Sequence, residues 1–193
     1  MNIQLPVHMD KLAFLAWIQG REERYELVDG RVVMMTGGSR GHALVVRGLA
    51  KALDRRLDAA RWSVLTSDFA ASVGQDTIRY PDLIVDVAAG QLGDLTATAP
   101  VLIAEVLSPS SVTTDLGDKT AEYLHLPTLH AYLVLSQDEP MAWIWIRGET
   151  GFGAAPEVIA GDQAVVGVSP LSIELPLSEI YQSFGTVAAD KKN

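Results

Sequence analysis

The chain has no cysteine among its 193 residues, which excludes disulfides, thiolate metal sites and cysteine nucleophiles. Nothing therefore ties it to an oxidising compartment. No segment approaches the roughly 20 apolar residues that a membrane span requires. Lys11 interrupts the apolar stretch near the N-terminus, so no secretory leader is expected. A cytoplasmic protein with no membrane partner is the expectation. Positive charge is also scarce: 15 Lys and Arg against 24 Asp and Glu leave a net charge of −9. That balance argues against a general nucleic-acid coat, whose affinity comes from neutralising phosphates. An acidic metal site adds negative charge by design, however, and Arg40, Arg47, Lys51, Arg55 and Arg56 form a local basic cluster. There is no internal repeat and no low-complexity tract. With 48% hydrophobic residues, a single domain over 1–193, with its core in about 10–182, is expected.

What the chain does contain is a series of two carboxylates and a lysine. Pro81-Asp82 opens an apolar strand, Glu105 lies inside Val-Leu-Ile-Ala-Glu-Val-Leu, and Lys119 follows on the next helix. A continuous apolar run of that kind is buried in a sheet. An unpaired ionised carboxylate there costs several kcal/mol, so Glu105 needs a cation, a donor or a proton. Alternation places Val101, Ile103, Glu105 and Leu107 on one face, and Ile78, Tyr80, Asp82, Ile84 and Asp86 on one face of the preceding strand. If the strands are neighbours, Asp82 and Glu105 can converge on one ion. Oxygen ligands suit Mg2+ or Mn2+ better than zinc, which prefers the imidazole and thiolate that this pair lacks.

The rest of the pattern is mixed α/β. Residues 9–20 have helical spacing and end at Gly20. Tyr25–Val28 and 31–35 flank Asp29-Gly30, a strong hairpin signal. Ser39 caps a helix to about Asp58, with Leu44, Leu49, Leu53 and Leu57 as its buried stripe. Strands are expected over 62–73 and 78–87, with a turn at Gly74-Gln75-Asp76, and over 101–107 as the centre of the sheet. Ser108-Pro109-Ser110-Ser111 then leads into a helix over 112–125. Ala131–Ser136 and 141–147 read as further strands, and 177–184 as a terminal helix after Pro176.

On the helix after Glu105, Asp115, Lys119 and Tyr123 recur at i, i+4, i+8 and share one face. A lysine there can orient an attacking water and stabilise charge developing on a phosphorane, while metal-bound carboxylates lower the water's pKa. The motifs Tyr25-Glu26-Leu27-Val28-Asp29-Gly30, His42 opening the next helix, Tyr80-Pro81-Asp82-Leu83-Ile84-Val85, Glu105-Val106-Leu107-Ser108-Pro109-Ser110, and Asp115 through Lys119 to Tyr123 occur in that order. On these the chain resembles the Uma-two family of restriction-endonuclease-like proteins, within the PD-(D/E)XK nuclease superfamily. The resemblance runs from about residue 10 to 182. It implies a restriction-endonuclease-like mixed central sheet flanked by helices, and metal-dependent hydrolysis of nucleic acid, most readily DNA. It also implies Asp82 and Glu105 as ligands of Mg2+ or Mn2+, with the Val106 carbonyl beside them, Glu26 as a further acidic site residue and Lys119 as the catalytic lysine. The wider superfamily places its lysine two residues after the second carboxylate, where this chain has Leu107. Lys119 would be its migrated replacement. A homodimer is the general expectation for a nuclease that cuts two strands.

Other readings compete. Glu105 could be a buried ion-pair partner of Lys119 or Arg79, Asp115 and Lys119 a surface pair, Tyr123 a core residue and His42 a capping or surface residue; the functional reading makes His42 a contact to substrate or metal and counts Tyr123 and Asp115 as secondary site residues. Trp143 and Trp145 alternate with Ile144 and Ile146, which suggests a strand covered on both faces or a subunit interface. Gly37-Gly38-Ser39-Arg40-Gly41 fits G-x-S-x-G, so a serine esterase with Asp82 or Asp115 and His125 or His130 is a minor alternative. A nuclease-like fold serving as a catalytically inactive binding or assembly module is the non-enzymatic alternative, favoured by the net charge and by Leu107.

Overall fold

A computed structural model describes residues 8–107 and 114–182, with Thr114 and Asp115 described by their backbone alone. The chain opens with α1 (Lys11–Ile18), which Asp10 caps by accepting from Ala13 N. The hairpin β1 (Tyr25–Val28) and β2 (Arg31–Met34) turns at Asp29 and Gly30, whose φ values of 48° and 75° are those a tight two-residue turn demands. Then comes α2 (Arg40–Asp54), with Ser39 as its N-cap as expected, although it ends before Asp58. Its buried residues are Val45, Leu49, Ala52 and Leu53; Leu44 and Leu57 are only partly covered.

The two long strands expected over 62–73 and 78–87 are each broken in two. The pieces are β3 (Trp62–Thr66), β4 (Ala71–Val73), β5 (Thr77–Arg79) and β6 (Leu83–Val87). The reasons are local. Pro81 has no N–H to give a ladder, and Asp68 N and Phe69 N both turn back to Thr66 O. The pieces join different sheets, with β4 and β5 in a small sheet ordered β2-β1-β5-β4 and β3 and β6 in a large one. Asp86 therefore does not share a site with Asp82: its carboxylate accepts from Thr98 N and Ala99 N and ties down the 88–100 loop.

The centre of the large sheet is β7 (Leu102–Leu107), every residue of which is buried. A π-helical turn (Thr114–Asp118) and α3 (Lys119–Leu124) lead to β8 (Ala131–Ser136), parallel to β7. Next come β9 (Met141–Gly148), β10 (Gly151–Phe152), β11 (Glu157–Ala160), β12 (Val165–Val168), β13 (Ile173–Pro176) and α4 (Leu177–Ile180). The large sheet has the order β10-β9-β8-β7-β6-β3, with β11 also on β9. The expected loop at Ser108-Pro109-Ser110-Ser111, the first residues of the 112–125 helix and the end of the 177–184 helix lie outside the described residues. No described helix is long and apolar enough to cross a membrane.

The large sheet is covered on both faces. Leu83, Val85, Leu102, Ala104 and Val106 pack with Val45, Leu49 and Leu53 of α2 and with Leu177 and Ile180 of α4. Ile84, Ile103 and Leu107 pack on the other face with Tyr123 of α3 and with Ala71 and Val73 of the small sheet. The Trp143 strand follows the same rule, since Ala142 and Ile144 enter the first cluster while Trp145 stacks on Tyr132 at 5.5 Å in the second. α1 then closes the far face of the small sheet with Phe14 against Tyr25, Leu27 and Ile78.

Gly48 lets α2 and α4 meet: a Cβ there would stand 2.0 Å from the carbonyl oxygen of Ile180. Backbone cannot yield as a flexible side chain can. Gly48→Ala is expected to cost about 3 kcal/mol, the upper end of overpacking penalties. A lowered urea midpoint with an unchanged m-value would register it; an unaltered midpoint would contradict this helix contact.

Candidate active site

Alternation along β7 sends Glu105 to the same side as Ile103 and Leu107, toward α3. There Glu105 Oε1 accepts from Lys119 Nζ at 2.9 Å and from Tyr123 Oη at 2.9 Å. The i, i+4 reading of Lys119 and Tyr123 thus places both on one carboxylate oxygen. The Asp115 side chain lies outside the described residues. Burial, reinforced by the charges of Glu105 and Glu26, pushes the Tyr123 hydroxyl well above the usual phenol range. It stays protonated and remains a donor to Glu105.

Asp82 sits just before β6, which is antiparallel to β7 and hydrogen-bonded to it. The two carboxylates are therefore neighbours, with Asp82 N at 3.4 Å from Glu105 Oε2. Asp82 Oδ2 accepts from Val106 N at 2.8 Å and lies 2.9 Å from His42 Nε2, which reaches in from the first turn of α2. His42 is not the cap of its helix, since Ser39 caps the His42 N–H, and its ring orients Asp82 instead.

Glu26 arrives from β1, and both of its oxygens are engaged. Oε2 accepts from Arg79 Nη1 at 2.9 Å and Oε1 from Tyr80 N at 3.1 Å, with Lys119 Nζ at 3.9 Å from Oε1. Arg79, only 4% exposed, does not pair with Glu105 as one reading of the sequence allowed. It forks onto Glu122 at 2.7 and 2.6 Å while holding Glu26. Burial opposes its charge, yet the bonds to Glu122 and the charge of Glu26 outweigh this and leave its pKa raised. Arg79 is a permanent cation joining the small sheet to α3 one turn from Lys119.

Around this centre Glu26, Asp82, Glu105 and Glu122 face two fixed cations, Arg79 and Lys119. The carboxylates of this centre outnumber its fixed cations among the described residues, and the His42 ring lies against Asp82 as a further basic group. Among the described residues no cluster of three or more His, Asp or Glu side chains is disposed to hold a metal ion. Asp82 and Glu105 are, among the described residues, the pair whose carboxylates lie together and could serve as side-chain donors. They are hard oxygen ligands, one on β7 and one just before β6, suited to an ion such as Mg2+ that keeps several waters and takes one or two carboxylates.

The esterase geometry does not assemble. Ser39 Oγ donates to Gln137 Oε1 at 2.7 Å and accepts from His42 N as a helix cap. His125 and His130 are both exposed, and His125 Nδ1 lies against Ala121 O. The basic cluster is also smaller than it looks in the sequence, because Arg56 forks onto Glu179 at 2.9 and 2.8 Å and Arg55 approaches the same carboxylate at 3.8 Å. Gln137, buried against the Ser39 cap, was invisible to pattern reading. A lone Gln after an apolar strand carries no signal.

A mixed sheet with one carboxylate on its central strand, a second at the start of the adjacent strand and a lysine on the helix that follows defines a restriction-endonuclease-like α/β protein. The chain belongs to the Uma2 family, described as putative restriction endonuclease, whose model matches residues 12–178. Two uncharacterised proteins of Synechocystis sp. are similar. One, slr1290, is 31% identical over 72% of this chain and 74% of its own length; the other, sll1609, is 28% identical over 60% and 67%. The crystal structure of a putative nuclease belonging to DUF820 from Anabaena variabilis has the same fold, with a TM-score of 0.69 over 92% of this chain and 98% of that one, at 15% identity.

Proposed function

We propose that the protein is a metal-dependent endonuclease, hydrolysing phosphodiesters of DNA with Mg2+ or Mn2+ held by Asp82 and Glu105. The observation that carries this reading is the convergence of two carboxylates and a lysine: Asp82 N lies 3.4 Å from Glu105 Oε2, and Lys119 Nζ is 2.9 Å from Glu105 Oε1. A divalent ion there supplies Lewis-acid polarisation of a phosphoryl oxygen and lowers the pKa of water. The remaining work falls to the chain's own groups. Tyr123 and Lys119 fix Glu105, and His42 and the Val106 amide fix Asp82. Lys119 then orients the attacking water and offsets charge developing on the phosphate. Glu26, whose oxygens are committed to Arg79 and Tyr80, acts by holding the cations in place. Cutting both strands of a duplex would use two such centres, which is the ground for a homodimer.

The experiment is nicking of supercoiled plasmid at low salt. Conversion to open circles with Mg2+ or Mn2+, abolished by EDTA, is the expected result. The binding-module alternative draws on the net charge of −9 and on Leu107 at the superfamily's lysine position. It predicts no nicking with either metal.

A further inference from the structure

The glycine-rich turn at 37–41 is the sequence motif that the carboxylate centre leaves without a role. It opens α2, a helix of 15 residues. Ser39 satisfies His42 N through its hydroxyl and Ala43 N through its carbonyl. The backbone N–H groups of Arg40 and Gly41 have no partner among the described residues, as the first turn of a helix leaves them. Arg40 is exposed and makes no ion pair among the described residues.

An independent observation points to what belongs there. Gln137 is only 8% exposed, and its Oε1 accepts from the Ser39 cap at 2.7 Å. That bond turns the carboxamide toward the helix start. Its Nε2 has no hydrogen-bond partner among the described residues and keeps contact with solvent, unlike Tyr25 Oη, which is buried without a partner. A Cβ at Gly41 would stand 3.2 Å from Gln137 O, so the glycine is what lets the turn close onto this residue. The carboxamide thus has its oxygen fixed and its donor open to an acceptor that arrives from solvent. The group that would accept from it, and from two helix-end amides beside an arginine, is an anion with several acceptor oxygens. His42, the residue after Gly41 in the same first turn, meets Asp82.

We infer that the first turn of α2 and the Gln137 carboxamide form a phosphate subsite, in which the Arg40 and Gly41 amides, the Arg40 guanidinium and Gln137 Nε2 hold a backbone phosphate of the nucleic acid beside the carboxylate centre. The nucleic acid as source of that phosphate rests on the endonuclease reading; the subsite rests on its own geometry. Gln137→Glu is the informative variant. It keeps an oxygen to accept from Ser39 and replaces the free donor with a negative oxygen of nearly the same shape.

Two readouts on the full chain test it. In nuclear magnetic resonance, inorganic phosphate is expected to shift the Arg40 and Gly41 amides and the Gln137 side-chain amide of the wild type saturably, and to leave Arg40 and Gly41 unmoved in Gln137→Glu. In fluorescence anisotropy with Ca2+, a short DNA duplex is expected to bind the variant at least about tenfold more weakly, the loss of a hydrogen bond to a charged group. The melting temperature and Mn2+ stoichiometry should be retained. Phosphate that leaves these amides unmoved, or a variant that binds phosphate and duplex as the wild type does, would overturn the subsite. Saturable phosphate shifts with no duplex affinity in the wild type would uphold the subsite and overturn the nucleic-acid reading instead.

Discussion

Glu105→Gln is expected to abolish both metal-dependent nicking and the rise in melting temperature that Mn2+ produces, while the metal-free protein melts close to the wild type. The carboxamide oxygen can still accept from Tyr123 Oη and Lys119 Nζ, the two bonds made to Glu105 Oε1. The pairing lost with Lys119 is offset because the metal-free centre carries more carboxylates than cations, and Lys119 still has Glu26 at 3.9 Å. What the variant cannot keep is the second hard, charged donor beside Asp82, without which one carboxylate remains for the ion. The effect should therefore appear as a lost metal response and not as a lost fold. A variant that nicks plasmid with Mn2+ as the wild type does would remove Glu105 from the site.

The largest expected effect on stability belongs to Arg79. Arg79→Met removes the shared cation of Glu26 and Glu122 and leaves a Glu26 side chain that is only 9% exposed with no guanidinium beside it. Breaking a buried pair by removing one partner costs roughly 3–5 kcal/mol, because the other charge stays behind. Glu122 is 24% exposed and recovers some hydration, which places the expectation near the lower bound, about 3 kcal/mol. Adding Glu26→Gln removes the stranded charge and should restore part of the loss. Denaturant unfolding of the single and double variants measures both. A double variant no more stable than Arg79→Met would show that the charge on Glu26 is not what Arg79 balances. The same substitution also removes the polar tie of Glu122 on α3 to the small sheet, so the approach of Lys119 to Glu105 should loosen.

How far this site can be read without coordinates depends on the range of the interaction. The Asp29-Gly30 turn and the Ser39 cap are decided within a few residues, and the structure has both where local chemistry puts them. The convergence of Asp82, Glu105 and Lys119 is also legible. Strand alternation and helical spacing each fix a face, and a carboxylate in an apolar strand demands a partner. Arg79 shows where this fails. Its partners are Glu26 and Glu122, 53 and 43 residues away in sequence, and no period connects them. Pro81 alone did not reveal that β5 and β6 belong to different sheets, because a proline fits an edge strand, a bulge or a break equally well. The strands after β9 were missed for another reason: β11 is largely exposed, and β12 and β13 pair only with each other, so neither carries the apolar run that marks a central strand. Gln137 became visible only once α2 was seen folded against the end of β8.

The most direct measurement is calorimetric titration of Mn2+ into the wild type and Glu105→Gln under the same conditions. One Mn2+ per wild-type chain, with no binding to the variant, is the predicted result. A wild type that takes up no Mn2+, or a variant that binds it unchanged, would contradict a metal centre on Asp82 and Glu105 and leave a nuclease fold put to use as a binding module.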